Sequence, residues 1–294
     1  MDDNARQAAM ADLYAQPGHL LWRAAARVTR EIDRLLPGTL DVHAYAALVA
    51  LEDAEPQSQR SLAAMTGVSG TTLTAVASTL ESDGLVERVR NPGDRRSYSL
   101  TRTPAGRDAV RRWEPHVHRL EEQLTASFDP VDAERLRELL LALARGDLDD
   151  RTPRLLLDST GFLVTKAHQW AHREYAAALQ PLGIEPRHSG TLRALRTVGP
   201  ATQGDLASLL DVSPATVVQI VDQLERRGLL TRERDPVDRR AYRLHLRPES
   251  DAVVAEVEEI SARLLDDRLG GRRGTGRRDL ARLLRLLLTA TTDA

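Results

Sequence analysis

Residues 86–100 read VERVRNPGDRRSYSL, and residues 230–244, 144 positions later, read LTRERDPVDRRAYRL. Each stretch has the pattern of two short strands about a Pro-Gly or Pro-Val turn, with an arginine pair just past the turn. Each follows a helix-like segment that ends Leu-Glu-x-x-Gly-Leu, LESDGL in the first case and LERRGL in the second. A helix leading into an arginine-tipped hairpin suits DNA. The major groove accepts a helix, and the negative potential of the minor groove draws arginine.

Outward from the hairpins the match continues. With one offset of 144 and no gap, residues 56–100 lie over 200–244, and 19 of the 45 positions are identical. Gln59/Gln203, Leu62/Leu206, Ser69/Ser213, Thr72/Thr216, Gly84/Gly228 and Asp94/Asp238 are among them. The flanks hold the register in pattern, with Pro37 over Pro181 and Leu48 over Leu192. Such self-similarity marks a duplication. Two domains are expected, 1–148 and 149–294, joined near residues 144–154 (ARGDLDDRTPR).

In repeat one, Leu20, Ala24, Val28, Ile32 and Leu35 recur at helical spacing and predict a helix over 13–36, stopped by Pro37-Gly38. A second helix is expected over about 42–52, and a short one from an N-cap at Ser58 to Thr66. Thr202 and Asp205 have capping-box spacing in the second copy. Ser69 and Ser213 then read as N-caps of the next helix, with Pro214 at its favoured first position. That helix turns Leu73, Val76 and Leu80 inward in one copy, and Val217, Ile220 and Leu224 in the other. Helices over 105–127 and 131–144 close repeat one. The fold class is mainly α with small β-hairpin wings.

A formal net charge of −2 over 294 residues means that any nucleic-acid argument rests on local charge. The absence of cysteine excludes disulfides and thiolate metal sites. No apolar run approaches the ~18 residues of a membrane span. The N-terminal MDDNARQAAMADLY lacks the order of a signal peptide. A cytoplasmic protein without a membrane partner is expected. Lys166 is the only lysine, and arginine carries nearly all the positive charge. The chain has no Gly-rich phosphate loop, nucleophile elbow or metal-ligand cluster, so neither an enzyme nor a cofactor is expected.

VERVRNPGDRRSYSLT and LTRERDPVDRRAYRLHL resemble the wing of MarR-type winged-helix regulators, and LASLLDVSPATVVQIVDQLERRGLL resembles their helix-turn-helix. The resemblance runs over nearly the whole chain, once per repeat. It implies two winged helix-turn-helix domains joined by dimerisation-type helices, and a transcriptional repressor of double-stranded DNA. It also implies release by a small aromatic or otherwise hydrophobic ligand. Carried over by position, Asp94 with Arg96 and Asp238 with Arg240 are the wing acid and base, and residues 69–75 and 213–219 open the recognition helices.

On those helices the DNA-contact candidates are Ser69, Thr71, Thr72 and Thr74, against Ser213, Thr216 and Gln219. Many relatives carry a basic residue there, but this chain has none over 69–80 or 213–224. Phosphate anchoring therefore falls largely on the wings and helix ends, Arg60, Arg88, Arg90, Arg226, Arg227, Arg232 and Arg234, beside the DNA-binding wing pairs Arg95, Arg96, Arg239 and Arg240. The Leu-Thr-x-x-Gly that follows the wing survives loosely in repeat one as Leu100-Thr101…Gly106, but not in repeat two.

MarR-type proteins are usually homodimers whose terminal helices interlock, so a short linker would make one chain a single-chain pseudo-dimer. Tethering replaces a bimolecular step by an intramolecular one, at an effective concentration in the roughly millimolar range. The two recognition helices are then free to diverge, and an asymmetric operator with half-sites about one helical turn apart is expected. A further homodimer of fused chains stays open. The alternative from a different class is a tandem winged-helix assembly factor that binds proteins instead of DNA.

For an effector, repeat one offers Trp22, His43 and Tyr45. Repeat two offers His168, His172 and Tyr175 on one helical face, with Arg187 and His188 on the next helix. Repeat one has Ala24, Val28 and Ala44 where repeat two has His168, His172 and His188. This asymmetry suggests a single pocket in repeat two for an anionic or phenolic ligand. Half-buried packing histidines are the alternative. No carboxylate or cysteine completes a zinc site at His168 and His172, and no metal is expected. The basic stretch 268–278 reads as a solvated turn, with contact to the DNA flanks as the alternative.

Overall fold

The computed structural model describes residues 7, 10–13, 15–38, 41–51, 55–91, 94–235, 242–270 and 274–289, with side chains omitted at 91 and 94–97. Repeat one runs α1 (Pro17–Leu35), α2 (Val42–Ala50), β1 (Gln57–Ser58), α3 (Gln59–Thr66), α4 (Gly70–Ser82), β2 (Val86–Asn91), β3 (Asp94–Arg102), α5 (Pro104–Thr125) and α6 (Pro130–Ala144). After the short α7 (Arg154–Leu157) come α8 (Thr160–Leu179), α9 (Pro186–Val198), β4 (Ala201–Thr202), α10 (Gln203–Leu210) and α11 (Pro214–Arg226). The chain ends with β5 (Leu230–Arg234), β6 (Tyr242–Leu246), α12 (Ser250–Leu269) and α13 (Thr275–Thr289). From β1 to α4 and from β4 to α11, element boundaries keep the 144-residue offset without a slip.

β1 and β4 carry no pattern visible in the sequence. Gln57 and Ser58 pair antiparallel with Leu100 and Ser99, and Ala201 and Thr202 pair with Leu244 and Arg243. Each hairpin thus becomes a three-stranded sheet whose returning strand is central, in the orders β1-β3-β2 and β4-β6-β5.

Capping follows the local sequence. Ser58 accepts from the Ser61 amide, and Thr202 and Asp205 form a reciprocal capping box. Gly67 ends α3 in the left-handed region at φ 60°, and Asp211 does the same for α10 at φ 55°. Asp tolerates that region because its short polar side chain makes local hydrogen bonds.

The loss of the glycine after the second wing has a local answer. At Gly106 a Cβ would lie 2.2 Å from the Leu85 carbonyl oxygen. The matching residue of repeat two is Ser250, fully buried, whose hydroxyl donates to the matching Leu229 carbonyl. Close backbone approach in one copy is replaced by a side-chain hydrogen bond in the other.

The chain forms two compact units, one of Met1–Trp22 with Ala171–Arg285, the other of Arg23–Trp170 with Leu286–Ala294. The repeat boundary at 148/149 is therefore a boundary of sequence, while packing is divided within α1 and α8. The unit with the second winged helix buries Leu13 from the N-terminal segment among Leu206, Val217, Ile220, Leu244 and Val257. The unit with the first winged helix has a core of Leu62, Met65, Leu73, Val76, Leu80 and Leu100, and an adjoining cluster in which Tyr45, Ala46 and Val49 meet Leu156. Each winged helix is thus completed by the first segment of the other repeat. Among the described residues no helix is long and apolar enough to cross a membrane.

Candidate nucleic-acid interface

Ser69 and Ser213 set the start of the two recognition helices in the same way. Each hydroxyl oxygen accepts from the amide three residues on, at 3.1 Å, and shares a 2.8 Å hydrogen bond with the hydroxyl of Thr72 or Thr216. These four side chains close the helix N-terminus, which satisfies an orphan amide in each case. The burial of Leu73, Val76 and Leu80, and of Val217, Ile220 and Leu224, turns the opposite face outward.

The outward tips differ. Over residues 70–78 of α4 the exposed positions are Gly70, Thr71, Thr74, Ala75 and Ser78; over residues 214–222 of α11 they are Pro214, Ala215, Val218, Gln219 and Asp222. The Thr74 hydroxyl donates to the Gly70 carbonyl at 2.8 Å and lies 3.3 Å from Gln59. Val218, at the matching position, is 41% exposed. One helix therefore offers hydroxyls and a methyl, the other a branched apolar group beside a primary amide.

The basic side chains fall into two classes. Arg88 is bound to Glu81 of α4 at 2.8 Å, and its counterpart Arg232 is bound to both Glu225 and Asp222 of α11. These arginines, expected as phosphate anchors, are paired with their own recognition helix and brace the wing against it. The arrangement is repeated because positions 81 and 88 recur as 225 and 232. Arg60, Arg90 and Arg234 are exposed and have no ion-pair or hydrogen-bond partner among the described residues. Asp238, Arg239 and Arg240 lie outside the described residues, as do the side chains of Asp94, Arg95 and Arg96.

The effector candidates of repeat two are not gathered into one unit. His168 belongs to the unit of Arg23–Trp170, whereas His172, Tyr175, Arg187 and His188 belong to the other. His188 is buried, its Nδ1 accepting from the Glu185 amide at 3.0 Å and its Nε2 lying 2.6 Å from Gln223 Oε1. With Nδ1 as acceptor, Nε2 carries the proton and donates to Gln223. Burial holds the His188 pKa below its ordinary value, against the opposing hydrogen bond to Gln223. Tyr175 donates to Ser189 at 2.9 Å, and burial pushes its hydroxyl pKa up. Arg187 pairs with Glu185 at 2.7 Å, and Trp22 packs at 5.6 Å on His19. His188 and Tyr175 are thus held within the packing.

A cavity of about 370 Å³ lies in the unit that carries the first winged helix. Ile32 and Leu36 of α1, Val42, His43 and Tyr45 of α2, Val117 and Leu120 of α5, and Leu156, Phe162 and Lys166 from repeat two line it. The sequence placed its main effector candidates in repeat two; this cavity lies elsewhere. Of the polar residues that drew attention there, His188 and Tyr175 are packing groups while His172 and Arg187 are exposed, and this cavity lies beside His43 and Tyr45 of repeat one. Lys166, which the sequence marked only as the single lysine, is 3% exposed. Its ammonium donates to the Gly67 carbonyl at 2.8 Å and to Gln169 at 3.4 Å, and sits 5.3 Å from the Phe162 ring centroid. Burial lowers its pKa to about 8, against a smaller opposing pull from Asp147. Among the described residues no group of three or more His, Cys, Asp or Glu side chains could hold a metal ion.

A family model described as MarR family matches residues 39–97 and again 182–241. A putative transcriptional regulatory protein for the hcr operon of Thauera aromatica is 31% identical over 136 residues, which are 43% of this chain and 82% of that protein. The HTH-type transcriptional repressor NicR of Pseudomonas putida is 33% identical over 121 residues, 40% of this chain and 67% of the repressor. Among solved structures, that of Bordetella bronchiseptica BpsR, whose DNA binding is regulated by 6-hydroxynicotinic acid, matches with 26% identity and a TM-score of 0.40. The match covers 45% of this chain and 94% of that one.

Proposed function

The chain belongs to the MarR family of DNA-binding transcriptional regulators, and we propose that it is a repressor acting as a single-chain pseudo-dimer on an asymmetric operator, released when a small molecule fills its cavity. The observation that carries this reading is the pair of recognition helices. They are capped and buried alike, residue for residue, yet present different side chains to a groove. Two equivalent frames with unequal tips read two unequal half-sites. The completion of each winged helix by the other repeat's first segment supports pairing within one chain. NicR, a repressor, supports the sign of the regulation.

The exposed arginines Arg60, Arg90 and Arg234 supply phosphate contacts, and the wing residues Asp94, Arg95, Arg96, Asp238, Arg239 and Arg240 approach the adjacent minor groove. The apolar cavity abutting α3 supplies the place where a ligand acts on the helix-turn-helix of repeat one.

Footprinting on the DNA upstream of the protein's own gene tests the reading. An asymmetric protected site, lost on addition of a ligand, supports it. A perfect palindrome bound equally by both halves removes the asymmetric operator. Affinity for duplex DNA that is absent at low salt, or indifferent to salt, removes DNA binding and favours the protein-assembly alternative.

A further inference from the structure

The end of α3 is finished by residues far away in sequence. The Asp149 amide donates to the Ala64 carbonyl at 3.3 Å, the Thr152 hydroxyl to the Met65 carbonyl at 2.9 Å, and the Lys166 ammonium to the Gly67 carbonyl at 2.8 Å. The last carbonyls of a helix lack partners within it, and its C-terminal dipole favours a cation. Gly67 admits this cation because it has no side chain: a Cβ there would lie 3.2 Å from Lys166 Cδ and 3.1 Å from Leu148 Cδ2. Ser69, which caps α4, stands two residues further on. Lys166 therefore holds the turn of the first helix-turn-helix and at the same time lines the cavity.

Both acceptors of that ammonium are neutral, and one of its three N–H groups has no hydrogen-bond partner among the described residues. Asp147 acts on the ammonium only through its charge, too weakly to offset the burial, and a buried cation with an unused donor favours an anion that hydrogen-bonds to it directly. The nearby start of α8 does not compete for that anion. Glu121 already accepts from the Thr160 and Gly161 amides at 2.8 and 3.1 Å and from the Ser159 hydroxyl. Asp158, also on the cavity wall, is paired with Arg154 at 3.0 Å.

Resting on the ligand-released reading above, we propose that Lys166 is the specificity-determining group of the cavity and the latch of the switch. A ligand with an apolar body and one carboxylate takes the ammonium away from the Gly67 carbonyl. The end of α3 then loses its cation, and the turn that sets α4 loosens. The device exists once per chain. At the offset of 144 the residues matching Lys166 and Gly67 are Trp22 and Asp211, so the second helix-turn-helix carries neither the amine nor the glycine that admits it.

Because the chain has a single lysine, growth on ¹³C,¹⁵N-lysine labels Lys166 alone, and its side-chain signal reports directly on this group without changing the amine. Benzoate and 1-naphthoate are the probes, with benzamide and 1-naphthamide as neutral counterparts, read by that signal and by release of bound duplex DNA. The acids are expected to shift the Lys166 signal and bind about tenfold or more tightly than their amides, the worth of one charge-assisted hydrogen bond. That preference fades above about pH 8, as the amine loses its proton. Asp147 pulls on the ammonium, and His43, Glu114, His118, Glu121 and Asp158 border the cavity; Lys166→Met and Lys166→Gln, which leave all of them in place, remove both the preference and its pH dependence.

Acids and amides that bind equally in the native chain, or an acid preference that survives in Lys166→Met, overturn the role of Lys166 while leaving ligand release intact. A Lys166 signal unmoved by either acid at millimolar concentration overturns it as well. A chain that binds no duplex DNA at low salt overturns the regulatory reading itself.

Discussion

Arg193 and Asp12 lie 3.1 Å apart, one guanidinium nitrogen donating to both carboxylate oxygens across 181 residues of sequence. A second nitrogen of Arg193 is 2.8 Å from Glu258. At the offset of 144, Arg193 matches Val49 and Asp12 matches Leu156, and in the other unit those two residues share an apolar cluster. The two copies thus solve one docking problem with opposite chemistry. A buried charge deprived of its partner costs more than the pair contributes. Leu156→Asp, which sets a carboxylate in the Val49 cluster, is expected to lower stability by about 3–5 kcal/mol. Asp12→Ala leaves Arg193 with Glu258 and is expected to cost about 1–3 kcal/mol. Urea unfolding ranks the two, and an equal or reversed order would refute the docking argument.

Lys166 predicts an unusual alkaline profile. Its pKa is lowered from 10.5 to about 8 in the folded chain. Between those values the unfolded chain retains a proton that the folded chain has released. This group therefore makes folding more favourable as pH rises through that window. The full effect is about 3 kcal/mol. Lys166→Met should show no such rise relative to the native chain between pH 7 and 9.5. The comparison stops there because Tyr175, whose pKa burial raises, works in the opposite direction above pH 10. Parallel stability curves for the two chains would contradict the assignment.

His188 supplies the acid limb. Its pKa is lowered by burial, so the unfolded chain takes up a proton first as pH falls below 6.5, and stability declines from there. Protonation would also convert Nδ1 from an acceptor into a second donor facing the Glu185 amide. His188→Asn should flatten the decline below pH 6.5 at some cost in stability at pH 7. Urea midpoints at pH 5, 6 and 7 decide this. An equally steep acid loss in the variant would place the titrating group elsewhere.

The sequence carried the helices, caps and wings because each rests on local signals. Ser69, Ser213 and the Thr202–Asp205 box act within three residues, and the duplication doubled each signal. β1 and β4 were not legible, since a two-residue strand has no period and exists only through β3 and β6. The pairing of Arg88 with Glu81 was hidden because it depends on which face the strand turns toward the helix. The cavity of the first unit was not legible for a related reason. Polarity in repeat two drew attention to His188 and Tyr175, whose partners Gln223 and Ser189 could not be known without the fold. The signal that could have found the cavity wall was Lys166, a lone amine in an arginine-dominated chain at a position where repeat one has Trp22.

The bracing of Arg88 and Arg232 leads to a prediction about charge. An arginine bound to a carboxylate of its own recognition helix neutralises no phosphate, whereas Arg90 and Arg234 are free to do so among the described residues. Arg90→Ala and Arg234→Ala should each weaken binding to all duplexes alike and reduce the salt slope by about one. Glu81→Gln frees Arg88 and should strengthen binding to random duplex at low salt, with a slope steeper by about one. Fluorescence anisotropy across a salt series measures both. A slope unchanged in Glu81→Gln would mean that Arg88 stays on the wing surface or already reaches phosphate.

Three of the five unequal exposed pairs of the recognition helices can be made equal. Thr71→Ala, Thr74→Val and Ala75→Gln together give α4 the side chains that α11 presents at Ala215, Val218 and Gln219. All three positions are exposed and lie outside the buried face, so the change should leave folding within about 0.5 kcal/mol of the native chain. Each correct base contact is worth about 1–3 kcal/mol of discrimination. Selection from a random duplex library should therefore move from an asymmetric site to a palindrome built on the half-site of repeat two. Enrichment of the same asymmetric site by the triple variant would show that bases are read by the wings or by DNA shape, and not by the helix tips.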